Sequence, residues 1–392
     1  MSKLMDTILI TENKSEMEQI GRRIVKEHPE IYTPLMLEKI MVRIKKENPQ
    51  EDDLISQKKL YCSIYDYWVY GNDIDEEFFY HFYEKTHIQK RSYMTNRIRT
   101  VYMDYLCCGD ARANPEIRKK RNDQLEMKYE CYKKLQKYYL RDIIEISDLD
   151  DYESFKAFVK KHDVFVVKPS DFCYGIGVHK AKITDYGSID KAFDSILAEG
   201  QQIHHRHPSR KSSVVLEELI VQAEELAQFH PASVNSVRAT AVRAKNGEIV
   251  VFHPWLKCGV GGRFVVSAAL DGFDAEIDSK TGIVITDGYS ENGKVYKVHP
   301  DSGIQIKGFK IPQWDDLLKM IHDLMEELPE YGYIGWDMVL TPKGWVVMEA
   351  NYAGECMWQM MRQCGGREEF ENLIGWKMDA DFWWQISPLP VN

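Results

Sequence analysis

The sequence lacks several features that would each have pointed to a large class of proteins. It has no excess of positive charge: the formal net charge is -10. That argues against broad nucleic-acid or anionic-membrane binding, which needs a basic surface. No apolar run approaches the ~20 residues that span a bilayer. Residues Met1 to Met17 hold no long apolar core and no cleavage signature, so no signal peptide is expected. The eight cysteines contain no Cys-x-x-Cys spacing, and Cys107-Cys108 is the one adjacent pair. They read as reduced thiols of a cytoplasmic protein, most of them packing residues. There is no internal repeat and no low-complexity tract. What is present is ordinary globular composition, 44% hydrophobic and 29% charged, over 392 residues. That length suits two or three domains with a large core.

Residues 1–120 carry helical periodicity. Apolar residues recur at intervals of three and four over Glu18–Val25 and Leu35–Ile44. The stretch Leu60–Tyr83 is rich in Tyr, Phe and Trp, which at helical spacing indicates a core. A polar break at 109–123 marks the boundary. Beyond it the expected elements are helix 125–138, strand 142–146, helix 151–161, strand 164–169, helix 189–198 and strand 213–220. Strands then dominate, at 236–244, 248–254, 264–268 and 283–286, before a helix at 314–327. The pattern is α+β with much antiparallel sheet. The tract 204–210, rich in His and Arg, resembles a metal binder in composition only and reads as a mobile, mildly basic surface loop that could border the acceptor site. His299, before Pro300-Asp301-Ser302-Gly303, reads as the cap of a turn, with a base or substrate ligand as the alternative.

The densest chemical signal is Gly335-Trp336-Asp337-Met338-Val339-Leu340, a turn, then Val346-Val347-Met348-Glu349-Ala350-Asn351. It predicts a hairpin. Alternate strand residues share a face, so Glu349 and Asn351 project together and Asp337 approaches them from the paired strand. Three oxygen donors on a rigid sheet suit Mg²⁺ bound to nucleotide phosphates. Asp337 and Glu349 interrupt apolar runs, and a buried carboxylate needs a cation or partner. The competing reading is a solvated hairpin with scattered polar residues.

Two further segments fit a nucleotide. Lys168 ends an apolar strand and precedes a loop that carries Asp171, Gly175 and Gly177. Glycine lets backbone N–H groups approach phosphate, and lysine neutralises charge; a simple β-turn is the alternative. The spacing matches neither a Walker A loop nor a Rossmann fingerprint. The strand Val215-Leu216-Glu217-Glu218-Leu219-Ile220 turns polar at its end. Its backbone could read an adenine edge, with Glu224 or Glu225 taking ribose hydroxyls. Taken alone, it is an edge strand.

In this order the segments resemble the ATP-grasp superfamily, and within it the sugar-transfer-associated family. Residues 233–240, 299–303, 311–314 and 334–337 carry the finer likeness, which spans about 122–385. The resemblance implies two α+β subdomains clamping ATP, a lid subdomain at about 150–220 and a metal-binding subdomain at about 221–390. Together they form a domain at 121–390 behind a helical N-terminal domain at 1–120. It implies Lys128 and Lys168 as nucleotide lysines; the usual Asp-Lys pair is Met127-Lys128 here. It assigns Asp171 to Gly177 to the phosphate lid, and Glu217, Glu218, Leu219 and Ile220 to the adenine hinge, with Glu225 on the ribose. Asp337, Glu349 and Asn351 become ligands of two Mg²⁺ ions, with Mn²⁺ as a substitute. Arg238 is expected to face the reaction centre. Lys257 and Arg263, flanking Gly259–Gly262, are expected to anchor an anionic substrate, unless that segment is a plain glycine turn.

The implied activity is ATP-dependent ligation. A carboxylate is phosphorylated, and an amine or similar nucleophile attacks the acyl phosphate, releasing ADP and phosphate. A sugar-related or small polar metabolite is the expected substrate class, with no nucleic acid and no membrane involved. The alternatives are a kinase acting on a small-molecule hydroxyl and a non-catalytic nucleotide-binding module. The helical domain is compatible with completing an acceptor pocket, forming a homodimer or docking a glycan-processing partner, and selects none of these.

Overall fold

A computed structural model describes residues 8–172, 175–207, 209, 211–262, 272–352, 354 and 356–386. The chain forms two compact units. One comprises 1–113, 244–246 and 355–392; the other comprises 114–243 and 247–354. The segment after 354, expected with the C-terminal domain, thus belongs to the unit of the N-terminal helices. Among the described residues, no helix is long and apolar enough to cross a membrane.

The first unit is helical. Helix Lys14–Glu27 starts at Asn13, whose side chain accepts the Ser15 and Glu16 N–H groups. Helix Asp53–Tyr70 is capped by Asp52 and ends at Gly71 in the left-handed region. The two lie close: a Cβ on Gly21 would meet the Tyr61 carbonyl oxygen at 2.0 Å. The aromatic stretch is core as expected, with Tyr65, Trp68, Tyr80 and Phe82 buried. Lys90 pairs with the fully buried Asp66 at 2.6 Å. The C-terminal segment is stitched in by specific bonds. The Gln359 side chain accepts the Met94 N–H (2.8 Å) and donates to the Met94 carbonyl (3.2 Å). Trp383 and Trp384 donate to the carbonyls of Tyr67 and Trp68.

The second unit is α+β, with two antiparallel sheets. The first sheet holds β1 (Ile143–Ile146), β2 (Val164–Pro169), β3 (His179–Lys182) and β4 (Val214–Glu218), in the order β1-β4-β2-β3. One face packs Ile146, Phe165, Val167, Val214 and Leu216 against Phe155, Phe158, Phe193 and Ile196 of helices Tyr152–Lys161 and Ile189–Arg206. By strand alternation the other face carries Glu145, Lys168 and Glu217. The second sheet comprises β5 (Ser236–Arg243), β6 (Ile249–Val251), β7 (Trp255–Cys258), β8 (Phe273–Glu276), β9 (Gly288–Tyr289), β10 (Val295–Tyr296), β11 (Tyr333–Thr341) and β12 (Gly344–Asn351). Its order is β10-β9-β8-β7-β5-β11-β12, with β6 paired to β5. Helix Trp314–Glu326 packs on β5, β6 and β12.

Several local expectations change. The polar break at 109–123 is largely helical: Asn114 caps helix Pro115–Glu126, and Pro115 suits its first turn, where no N–H is needed. The tract at 204–210 is no loop up to Arg206, because helix Ile189–Arg206 continues through His204 and His205, where cations favour a helix C-terminus. Strand 213–220 ends at Glu218, and strand 248–254 contracts to Ile249–Val251. Residues 283–286 make isolated bridges from Ile283 and Val284 rather than a strand. The strand expected at 264–268 lies outside the described residues. His299 does cap its turn, accepting the N–H groups of Asp301 (3.2 Å) and Ser302 (3.3 Å).

Gly21→Ala should push helices Lys14–Glu27 and Asp53–Tyr70 apart. The expected loss is about 1–3 kcal/mol of stability, read as a lower urea midpoint by tryptophan fluorescence. An unchanged midpoint would contradict the close approach.

Candidate functional site

The β5-β11-β12 register builds the site. Asp337 lies opposite both Arg238 on β5 and Glu349 on β12, and Gly335 lies opposite Asn351. Ser236 lies opposite Lys257 on β7. Strand alternation therefore puts Lys257, Arg238, Asp337, Glu349 and Asn351 on one sheet face. Arg238 grips Asp337 with both arms, Nε to Oδ1 at 2.6 Å and Nη2 to Oδ2 at 3.0 Å. Lys257 Nζ adds a contact at 3.4 Å. Burial alone would raise the Asp337 carboxyl, but Arg238 and Lys257 outweigh it and hold it at about 2.

Glu349 is more open, with 32% of its side chain exposed, and pairs with Lys128 Nζ at 3.2 Å. Asn351 Nδ2 donates to the Gly335 carbonyl at 3.1 Å, which fixes which end of the amide is left as an acceptor. Lys128 opens helix Lys128–Leu135. Its N–H donates to the Ser170 carbonyl (3.1 Å) and its Nζ to the Phe172 carbonyl. It therefore ties the loop after β2 to Glu349. The donor set of Glu349, Asn351 and Asp337 is all hard oxygen on a stiff sheet and fits a divalent cation such as Mg²⁺. Asp337 meets that requirement while already held by two protein cations.

A second constellation sits on the β2-β4 sheet. Lys168 Nζ contacts Glu217 Oε1 at 2.9 Å. Arg141 contacts Glu217 Oε2 through Nε at 3.1 Å and Nη2 at 2.9 Å. Burial would raise the Glu217 carboxyl, yet Lys168 and Arg141 together depress it to about 2. The expected hinge role rested on the Glu217 backbone; the structure engages its side chain. Glu218, Leu219 and Ile220 border a cavity of about 170 Å³ together with Leu140, Pro342 and Val346.

Of the segment expected as a lid, residues 175–178 form a turn, with the Val178 N–H on the Gly175 carbonyl at 3.2 Å, and residues 173 and 174 lie outside the described residues. Gly175 and Gly177 both have positive φ, and a Cβ on Gly177 would meet Pro169 Cγ at 2.8 Å. Asp171 accepts the Lys211 N–H at 3.1 Å. Glu225 is exposed in the short helix Glu224–Ala227. Arg263 lies outside the described residues.

A family model described as sugar-transfer associated ATP-grasp matches residues 132–373, more than half of the chain. The chain belongs to this family. Among solved structures it is similar to D-alanyl-alanine synthetase A from Vibrio cholerae, at 12% identity and a TM-score of 0.37, over 65% of this chain and 61% of that one. It is similar to a phosphoribosylamine–glycine ligase from Thermotoga maritima, at 12% identity and 0.36, over 59% and 48%. A biotin carboxylase from Campylobacter jejuni gives 8% identity and 0.41, over 66% and 48%. The chain thus spans about half to two thirds of the length of these structures, and the family match carries the assignment. No curated protein matches the chain.

Two residues of this ATP-grasp protein escaped the sequence reading. Arg141 is buried between the two constellations; its only trace in sequence is a lone arginine at the mouth of an apolar strand. Glu126 accepts the Tyr352 N–H at 2.8 Å, beside Asn351. Burial raises its carboxyl above the usual range, the Tyr352 N–H opposes this, and Glu349 adds to the rise. An acid two residues before Lys128, where the family has Asp-Lys, was a usable signal. Among the described residues, Asp142, His162 and Glu218 also bring ligand atoms within 4.8 Å of one another. Asp142 there already contacts His162 (2.9 Å) and Lys161 (3.3 Å).

Because Glu217 and Asp337 are depressed below their unfolded values, they contribute stability that is fully present above about pH 5 and is lost as pH falls towards about 2. Thermal unfolding should therefore drop steeply across that window, and Glu217→Gln should flatten the drop. Parallel wild-type and variant curves would refute the assignment.

Proposed function

We propose that this protein is an ATP-dependent ligase that activates a carboxylate and joins it to an amine or similar nucleophile, on a sugar-related or small polar metabolite in the cytoplasm. The observation that carries this reading is one sheet face that carries Arg238, Lys257, Asp337, Glu349 and Asn351, with Arg238 and Lys257 on Asp337 and Lys128 reaching Glu349 from a helix. Such a face balances the charge of a triphosphate and of a carboxylate together.

In the first step a substrate carboxylate oxygen bonds to the γ-phosphorus, and the bond to the bridging oxygen breaks to leave ADP. In the second step the nucleophile bonds to the carbonyl carbon, the bond to the phosphate oxygen breaks, and the nucleophile gives up a proton as phosphate departs. Lys168 and Lys128 neutralise phosphate oxygens, and the loop that carries Asp171, Gly175 and Gly177 covers them. The purine lies in the cavity beside Leu219 and Ile220, with Glu225 the candidate for the ribose. Arg238, fixed in the sheet, is the cation placed for the oxyanion of the second step, and Lys257 anchors the acidic substrate. When bound, Mg²⁺ on Asp337, Glu349 and Asn351 supplies further charge neutralisation at the phosphates.

Phosphorus NMR with MgATP and a small-molecule extract tests this reading. ADP with an equal amount of free phosphate supports the ligase, whereas ADP with a new phosphoester signal replaces it with a kinase. Glu349→Gln and Asp337→Asn should abolish turnover and leave the near-UV circular dichroism unchanged. Arg238→Lys should lower kcat by about 10²–10³-fold. Full activity in the Asp337 or Glu349 variant would remove the metal assignment.

A further inference from the structure

We infer that Arg141 is a positioning residue that joins the metal-binding hairpin to the nucleotide lysine, so that nucleotide affinity depends on it; this rests on the nucleotide reading above. The starting point is an irregularity in β12. Asp337 faces Glu349, but the next residue on β11, Met338, faces Val347. Met348 is therefore an additional residue, a bulge immediately before Glu349. A bulge interrupts the ladder and leaves backbone groups in need of other partners.

Arg141 supplies them. Its Nη1 donates to the Val347 carbonyl at 2.6 Å and to the Tyr139 carbonyl at 3.3 Å. Its Nη2 donates to the Met348 carbonyl at 3.4 Å and to Glu217 Oε2 at 2.9 Å, and Nε donates to the same oxygen at 3.1 Å. All five guanidinium N–H donors are thereby used. The other Glu217 oxygen holds Lys168 at 2.9 Å. One buried side chain thus fixes the bulge that aims Glu349 and, through Glu217, the place of Lys168. It also borders the cavity at Leu219 and Ile220. Lysine would keep the charge but not the planar fork, so it could not serve the carboxylate and the two β12 carbonyls together.

The test is calorimetric titration of the full chain with MgADP, for the wild type, Arg141→Lys, Lys168→Met and the double variant. Arg141→Lys and Lys168→Met should each weaken Kd by about tenfold or more. The double variant should be no more than about twofold weaker than the worse single, because both act through one chain of contacts. Glu217→Gln, which keeps the shape of the link and removes its charge, should weaken binding likewise and serves if Arg141→Lys does not fold. A Kd within twofold of wild type in a folded Arg141→Lys or Glu217→Gln protein overturns the inference, as do losses that multiply in the double variant. Failure of the wild type itself to bind MgADP overturns the nucleotide reading and this inference with it.

Discussion

Two carboxylates in the second unit, Asp337 and Glu217, are buried and charged, and much of the site's layout follows from keeping them so. An isolated ionised carboxylate inside a protein costs far more than a domain can offset. Each is therefore answered by two cations: Arg238 and Lys257 for Asp337, Lys168 and Arg141 for Glu217. The cations come from neighbouring strands or from the chain entering one. Sheet register, strand order and the depth of the site are thus tied to electrostatic balance as much as to apolar burial.

Those pairs also make the site preorganised. Arg238 and Asp337 meet in two-armed geometry within one sheet, so neither side chain has far to search when a charged ligand arrives. Glu349 is different. It is partly open and pairs with Lys128, which also reaches the loop after β2. The stiff half of the site and the adjustable half face each other across one strand pair, Asp337 on β11 opposite Glu349 on β12. Preorganised charge beside a yielding carboxylate suits a reaction in which negative charge moves between phosphate and carbonyl.

The sequence made one part of this legible and hid another. The hairpin was visible because polar residues broke apolar runs at a spacing of two, a period that belongs to strands. The helical first unit was visible through its aromatic and aliphatic periodicity. Lys168 stood out at the end of a strand. Arg141 did not, because its role depends on backbone carbonyls brought close by tertiary folding, and no local pattern encodes such partners. The bulge at Met348 was hidden because it sits at the end of the apolar run Trp345–Met348, where an added residue leaves the alternation readable from either side. The helix at 115–126 was misread because Pro and Asn look like a break, although at an N-terminus they begin a helix.

The stitching of Trp383 and Trp384 onto Tyr67 and Trp68 crosses 316 residues of chain. The whole of the second unit lies between these partners. During synthesis residues 8–113 of the first unit precede the second unit, but their aromatic core cannot close until Trp383 and Trp384 have followed it, while the second unit has all its strands available sooner. The order of synthesis and the order of completion are reversed. Until Trp383 and Trp384 are made, the apolar surface they cover stays open, and a second unit that is already compact shortens the effective closure distance between the partners.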